Sequence, residues 1–223
     1  MAVASKSRIS KNGRKTAEPV FQITIPKMNL SSFRVKLVGM APIIVHRFTE
    51  KAERSIQDKQ SKKAAKAREA RDPNAEYLAA CYVFPGSTPG EKGCRYAITA
   101  RCVKAATVGA CRFISGLPMT FGRGAFSIAG EDDPDLIELK FSEMRMRTDA
   151  VRLPNGNLDL RYRPEFTEWS AVVKITYNAE IITPEQIVGL MAMGGFHCGL
   201  LEDRPSSKSG PGGNHGTFTV ETA

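Results

Sequence analysis

Two stretches of this 223-residue chain run through the same succession of periodicities, and that repetition limits the fold more than any other feature. In the first, Phe33-Arg34-Val35-Lys36-Leu37-Val38-Gly39 alternates apolar with polar or small positions, as a half-buried strand does. Thr99 then stands where a helix cap is wanted, and Val103, Ala106, Ala110 and Phe113 recur behind it at helical spacing. Gly116 to Gly124 reads as a loop, Ala125 to Ile128 as a short extended run, and Leu136 to Phe141 as the returning strand. In the second stretch Trp169 to Tyr177 is a long strand. Thr183-Pro184-Glu185-Gln186 supplies cap, first-position proline and first-turn acid in the preferred order. The helix predicted over 184–193 is apolar on Ile187, Leu190 and Met191, and Gly216 to Glu221 closes as a strand.

Joined, these elements give the order βαββαβ, so the predicted class is α+β with a ferredoxin-like core. Residues 1–27 read as a disordered basic arm, because Lys6, Arg8, Lys11, Arg14 and Lys15 precede any acidic residue. Residues 28–223 read as a single domain carrying two additions. One is a helical insertion over 47–95, led by a polar helix from Thr49 to Ala70 whose apolar stripe is thin. The other is a protruding hairpin over 143–168, in which 144–152 and 158–163 flank an Asn155-Gly156 turn.

The chain is 42% hydrophobic, enough for a real core, and carries a net charge of +9, which biases its partners toward polyanions. Five cysteines, odd in number and without C-x-x-C spacing, read as reduced thiols. No apolar run follows the basic first residues as a secretion signal requires, and no window approaches a membrane span. The expected location is the cytoplasm.

The candidate contact residues are basic. Arg145, Arg147, Arg152, Arg161 and Arg163 fall on the hairpin, where two strands could present a basic face interleaved with Tyr162. The bland reading is a solvated face paired with Asp149, Asp159 and Glu165. Lys59, Lys62, Lys63 and Lys66 recur at three- and four-residue steps on one side of the polar helix, where a phosphate chain would relieve their repulsion. A plain solvated helix is the alternative. Arg101 and Lys104 open the first core helix. Gly194, Gly195, Gly212 and Gly213 belong to a glycine-rich tail whose backbone could lie against phosphates. That tail has neither a Walker motif nor G-x-G-x-x-G spacing, so no nucleotide cofactor is expected. His197, Cys198 and His215 lack finger-like spacing, so no metal is expected either. The run Glu131-Asp132-Asp133-Pro134-Asp135 reads as a turn, and Trp169 as core. His46 is the one candidate general base.

Two resemblances add to this. Gly39 to Arg47, Arg145 to Asp149, Arg161 to Trp169, Gln186-Ile187-Val188 and the tail from Gly194 to Val220 resemble an uncharacterised family encoded by bacteriophages and prophages. That resemblance implies a bacterial host cell during infection as the setting. More remotely, the skeleton with its glycine-rich loop, and Ala100 to Ala106 opening the first helix, is similar to the RAMP superfamily. Members of that superfamily form the RNA-binding backbone of CRISPR effector complexes. The expectation is a non-enzymatic protein that binds single-stranded DNA or RNA through the phosphate backbone as a homo-oligomer. The alternatives are a phage assembly protein and a RAMP-like endoribonuclease using His46.

Overall fold

The computed structural model describes residues 27–62, 70–152, 156–207 and 211–222; most of the basic arm, with Lys63, Lys66 and Asn155, lies outside them. The elements in chain order are β1 (Leu30–Gly39), β2 (Ile43–Ile44), α1 (Glu50–Gln60), α2 (Pro73–Ala79), β3 (Tyr82–Val83), β4 (Tyr96–Thr99) and α3 (Ala100–Ala110). They continue with α4 (Met119–Ala125), β5 (Phe126–Ala129), β6 (Leu136–Glu138), β7 (Glu143–Arg152), β8 (Leu158–Thr167), β9 (Ser170–Asn178), α5 (Pro184–His197) and β10 (Phe218–Thr222). The class is mixed α+β.

Four strands form the main sheet in the order β10-β1-β9-β5, every pair antiparallel. Alternation along each strand puts Val35 and Leu37 of β1 on the same face as Val173 and Ile175 of β9 and Ile128 of β5. These side chains are buried. The helices α3 and α5 pack against each other and against this sheet, and one contiguous hydrophobic cluster joins the layers. Trp169 is part of it, as its sequence position predicts. Its indole donates to the Ala41 carbonyl at 2.8 Å, and its ring fills the space a side chain at Gly39 would need.

The first-half return strand differs from expectation. The place beside β9 belongs to Phe126–Ala129, whose Phe126 and Ile128 oppose Tyr177 and Ile175. The segment Leu136–Glu138 pairs instead with β4, in a small sheet ordered β3-β4-β6. The acidic run redirects the chain between them: the Asp133 carboxylate accepts from the Asp135 and Leu136 amides at 2.7 and 2.9 Å. Residues 119–125, read from sequence as loop, form α4. Glycine is a poor helix former, but a Cβ at Gly122 would come within 3.0 Å of Cys111 Sγ, so close packing on the preceding turn favours it there.

The predicted helix caps are present. The Thr49 hydroxyl accepts from the Ala52 amide and the Thr99 hydroxyl from the Cys102 amide. Thr183 and Gln186 form a reciprocal capping box. The helix that follows runs to His197, four residues beyond the predicted end. The hairpin does not stand free: β8 extends to Thr167 and pairs at Glu165 and Phe166 with β2, giving a third sheet ordered β2-β8-β7.

Candidate nucleic-acid interface

The hairpin register puts Arg145, Arg147, Arg161 and Arg163 on one face, with Arg145 opposite Glu165 and Asp149 opposite Arg161. Carboxylates occupy that face as densely as arginines. Glu165, its side chain only 4% exposed, accepts from Arg145 Nε and from Arg147 Nη1 at 3.1 Å. Burial alone would raise its pKa, but the two arginine hydrogen bonds outweigh it and hold the carboxyl below its ordinary value. Arg147 also donates to Asp149 at 2.8 Å. Arg163, 7% exposed, donates to Glu202 at 3.2 Å. Its buried Nε has no hydrogen-bond partner among the described residues and stands 3.9 Å from Asp149. Arg161 lies 3.8 Å from Asp159.

Two histidines complete this network. His215 Nδ1 is 2.7 Å from Asp203, and its Nε2 is 3.2 Å from Arg147 and 3.3 Å from Glu165. His46 Nδ1 stands 3.8 Å from Glu202. The neighbouring His46 is the largest influence lowering the Glu202 pKa, with Arg163 adding to it against burial. The predicted basic track on this face is therefore corrected. Its four arginines face Asp149, Asp159, Glu165 and Glu202, and little net charge is left to attract a polyanion. Tyr162 and Arg152 sit at alternate positions, on the opposite face of the hairpin. Tyr162 is covered by the Arg71 guanidinium, 5.6 Å from the ring centroid, so it does not interleave with the arginines.

The glycines are corrected as well. Gly194 and Gly195 are buried within α5. A Cβ at Gly194 would come 2.7 Å from the Ala106 carbonyl oxygen of α3, and one at Gly195 only 2.0 Å from that of Phe218. A Cβ at Gly212 would come 2.4 Å from the Pro205 carbonyl oxygen, and one at Gly213 2.2 Å from that of Asp203. These glycines bring the chain's own backbone together; they do not open it to a ligand. Lys59 is exposed on α1, a helix with no buried residue, and Lys62 follows its end with φ 52°.

On the main sheet's outer face Arg34 pairs with Glu131 and Lys36 with Glu221. The helical layer is different. From Thr99 to Gly130 the sequence contains no aspartate or glutamate, and it contains Arg101, Lys104, Arg112 and Arg123. None of these four makes a salt bridge with a described residue. Arg112 donates only to the Gly109 carbonyl and weakly toward Cys198 Sγ. At 3.6 residues per turn, Arg101 and Ala105 fall within roughly 40° of one another around α3, with Lys104 beside them, and Arg112 follows in the short 3-10 turn Cys111–Phe113. Arg101, Arg112 and Arg123 are exposed and Lys104 is half-buried. Beside Arg112, the exposed ring of Phe113 stacks on His197 of α5.

Arg101 and Lys104 thus lack ion-pair partners among the described residues, in contrast to the hairpin arginines. Arg112 and Arg123 were missed, although the acid-free stretch is visible in the sequence as a run without counter-charge. Among the described residues no group of three or more His, Cys, Asp or Glu is arranged to hold a metal, and no helix is long and apolar enough to cross a membrane. No protein-family model matches the chain, and no match to it was found among curated proteins.

Proposed function

We propose that this protein binds single-stranded nucleic acid, DNA or RNA, through the phosphate backbone, and that it does so without catalysing a reaction. The observation that carries the proposal is the acid-free stretch from Thr99 to Gly130, in which Arg101, Lys104, Arg112 and Arg123 lack ion-pair partners among the described residues. Cations without counter-charge retain the full release of condensed ions on meeting phosphate, which is the main source of sequence-independent affinity. His46 belongs to the charge-paired hairpin network rather than to this surface, which favours binding over endonuclease chemistry.

In the same reading the main sheet with α3 and α5 is a ferredoxin-like core. Support comes from the strand order β10-β1-β9-β5, with α3 lying between β1 and β5 in sequence and α5 between β9 and β10. That order also supports the remote likeness to the RAMP fold. The motif resemblance supports a phage-encoded protein working in the bacterial cytoplasm. Self-association along the strand is supported by Met146, Leu158 and Leu160, which are exposed on the hairpin face opposite the arginines.

Anisotropy of labelled oligo-dT and oligo-U, titrated with protein at rising salt, tests the proposal. The expected result is binding to both that weakens steeply as salt rises. Absence of binding, or an affinity indifferent to salt, overturns it.

A further inference from the structure

The two phenylalanines beside the α3 cations are unusually exposed for their size. Phe113 is 51% exposed and Phe196 63%. They are not isolated. Phe113 lies nearly parallel to His197, with centroids 4.4 Å apart and an interplanar angle of 23°. Phe196 meets the same imidazole edge-on, at 5.0 Å and 85°. Three rings from two different elements therefore form one surface cluster. Arg112 adjoins it in sequence, and its guanidinium is pinned by Gly109 and Cys198.

Around Phe113 the sequence from Thr99 to Gly130 contains no acid, and the acids nearest to His197 in sequence, Glu202 and Asp203, pair with Arg163 and His215. The only acid in α5 is Glu185 at the helix's other end, about 18 Å along the axis from His197. A flat apolar ring beside cations that lack ion-pair partners among the described residues matches a nucleobase, which offers a π-face attached to a phosphate.

Resting on the phosphate-binding reading above, we infer that Phe113, His197 and Phe196 form a stacking platform for unpaired bases. The phosphates of the same strand would engage Arg112 and the α3 cations. The platform confers preference for single strands, because a base inside a duplex has to be unpaired and unstacked before it can reach it. Stacking carries little base identity, so the platform adds affinity without sequence readout.

The test compares wild type, Phe196→Ala, Phe113→Ala and Phe196→Trp with a labelled 20-nucleotide single strand and the corresponding duplex. Phe196→Ala is expected to weaken single-strand binding about tenfold, within the range seen when one stacked base is lost. Duplex binding and the salt slope are expected to stay unchanged. Phe196→Trp is expected to restore affinity, and its fluorescence to be quenched when the strand binds. Arg101→Ala/Lys104→Ala serves as the separating control. If that double variant loses salt-dependent binding while both alanine variants bind single strands like wild type, the platform is refuted and the phosphate reading stands. If wild type binds no oligonucleotide, both fall. If the alanine variants alter only the protein's self-association by light scattering, the rings are a protein contact and the platform is refuted.

Discussion

Replacing Arg101 and Lys104 by alanine separates the helical surface from the hairpin as the site of phosphate contact. Neither side chain has an ion-pair partner among the described residues, and neither is buried, so their removal should leave the fold intact. If Arg101, Lys104, Arg112 and Arg123 each neutralise one phosphate, log K falls with log salt at a slope of about −2.8 for a single strand. Between 50 and 200 mM salt that slope weakens wild-type binding about 50-fold. The double variant retains two contacts, so its slope halves to about −1.4 and the loss over the same interval shrinks to about sevenfold. Fluorescence anisotropy at four or five salt concentrations measures the slope directly. The control is Arg145→Ala, which removes a cation already paired with Glu165 and should leave the slope unchanged. An unaltered slope in the helix variant, with a reduced one in Arg145→Ala, would refute the reasoning and return the site to the hairpin.

Other outcomes follow from packing and charge. Gly195→Ala drives a methyl to within 2.0 Å of the Phe218 carbonyl oxygen and should destabilise by about 1–3 kcal/mol. Gly189→Ala, in the same helix with nothing within 4 Å, should stabilise by about 0.5–1 kcal/mol; denaturant melts of the two variants should shift in opposite directions. Glu165→Ala strands Arg145 and Arg147 beside a buried position and should cost about 3 kcal/mol, read as a lowered Tm. The Glu165 carboxyl is held below its ordinary 4.5 in the folded state. Its stabilising contribution is therefore complete above that value and is lost as pH falls through the depressed one. Glu165→Gln should accordingly flatten the acid limb of the stability curve as pH falls below about 4.5.

Much of the architecture was legible because local signals and burial agree. Thr99, Thr183 and Gln186 announce helices α3 and α5, and the alternation of Phe33 to Gly39 fixes which side of β1 is buried. The Phe126–Ala129 strand was harder. Two inward side chains make a weak periodic signal, and Leu136 to Phe141 offers a longer one that the Asp133 turn diverts to another sheet. The hairpin arginines could be assigned a shared face from spacing. Their neutralisation could not, because Glu202, Asp203 and His215 come from a loop far along the chain. The tail glycines misled for a related reason: sequence records that a Cβ is missing but not whether ligand or backbone takes its place. Here carbonyls of Ala106, Pro205 and Phe218 do.

The contact between Gly194 and the Ala106 carbonyl has one further effect. With no side chain to act as a spacer, the two helices are clamped backbone to backbone, and α3 has little freedom to tilt or slide. Arg101 and Lys104, about 4.5 Å apart along its axis, therefore keep a set interval, as graduations do on a ruler. In the proposed mode of binding a pliable strand would adjust its own stride to that interval, so the ordering cost of association should fall on the nucleic acid rather than on the protein.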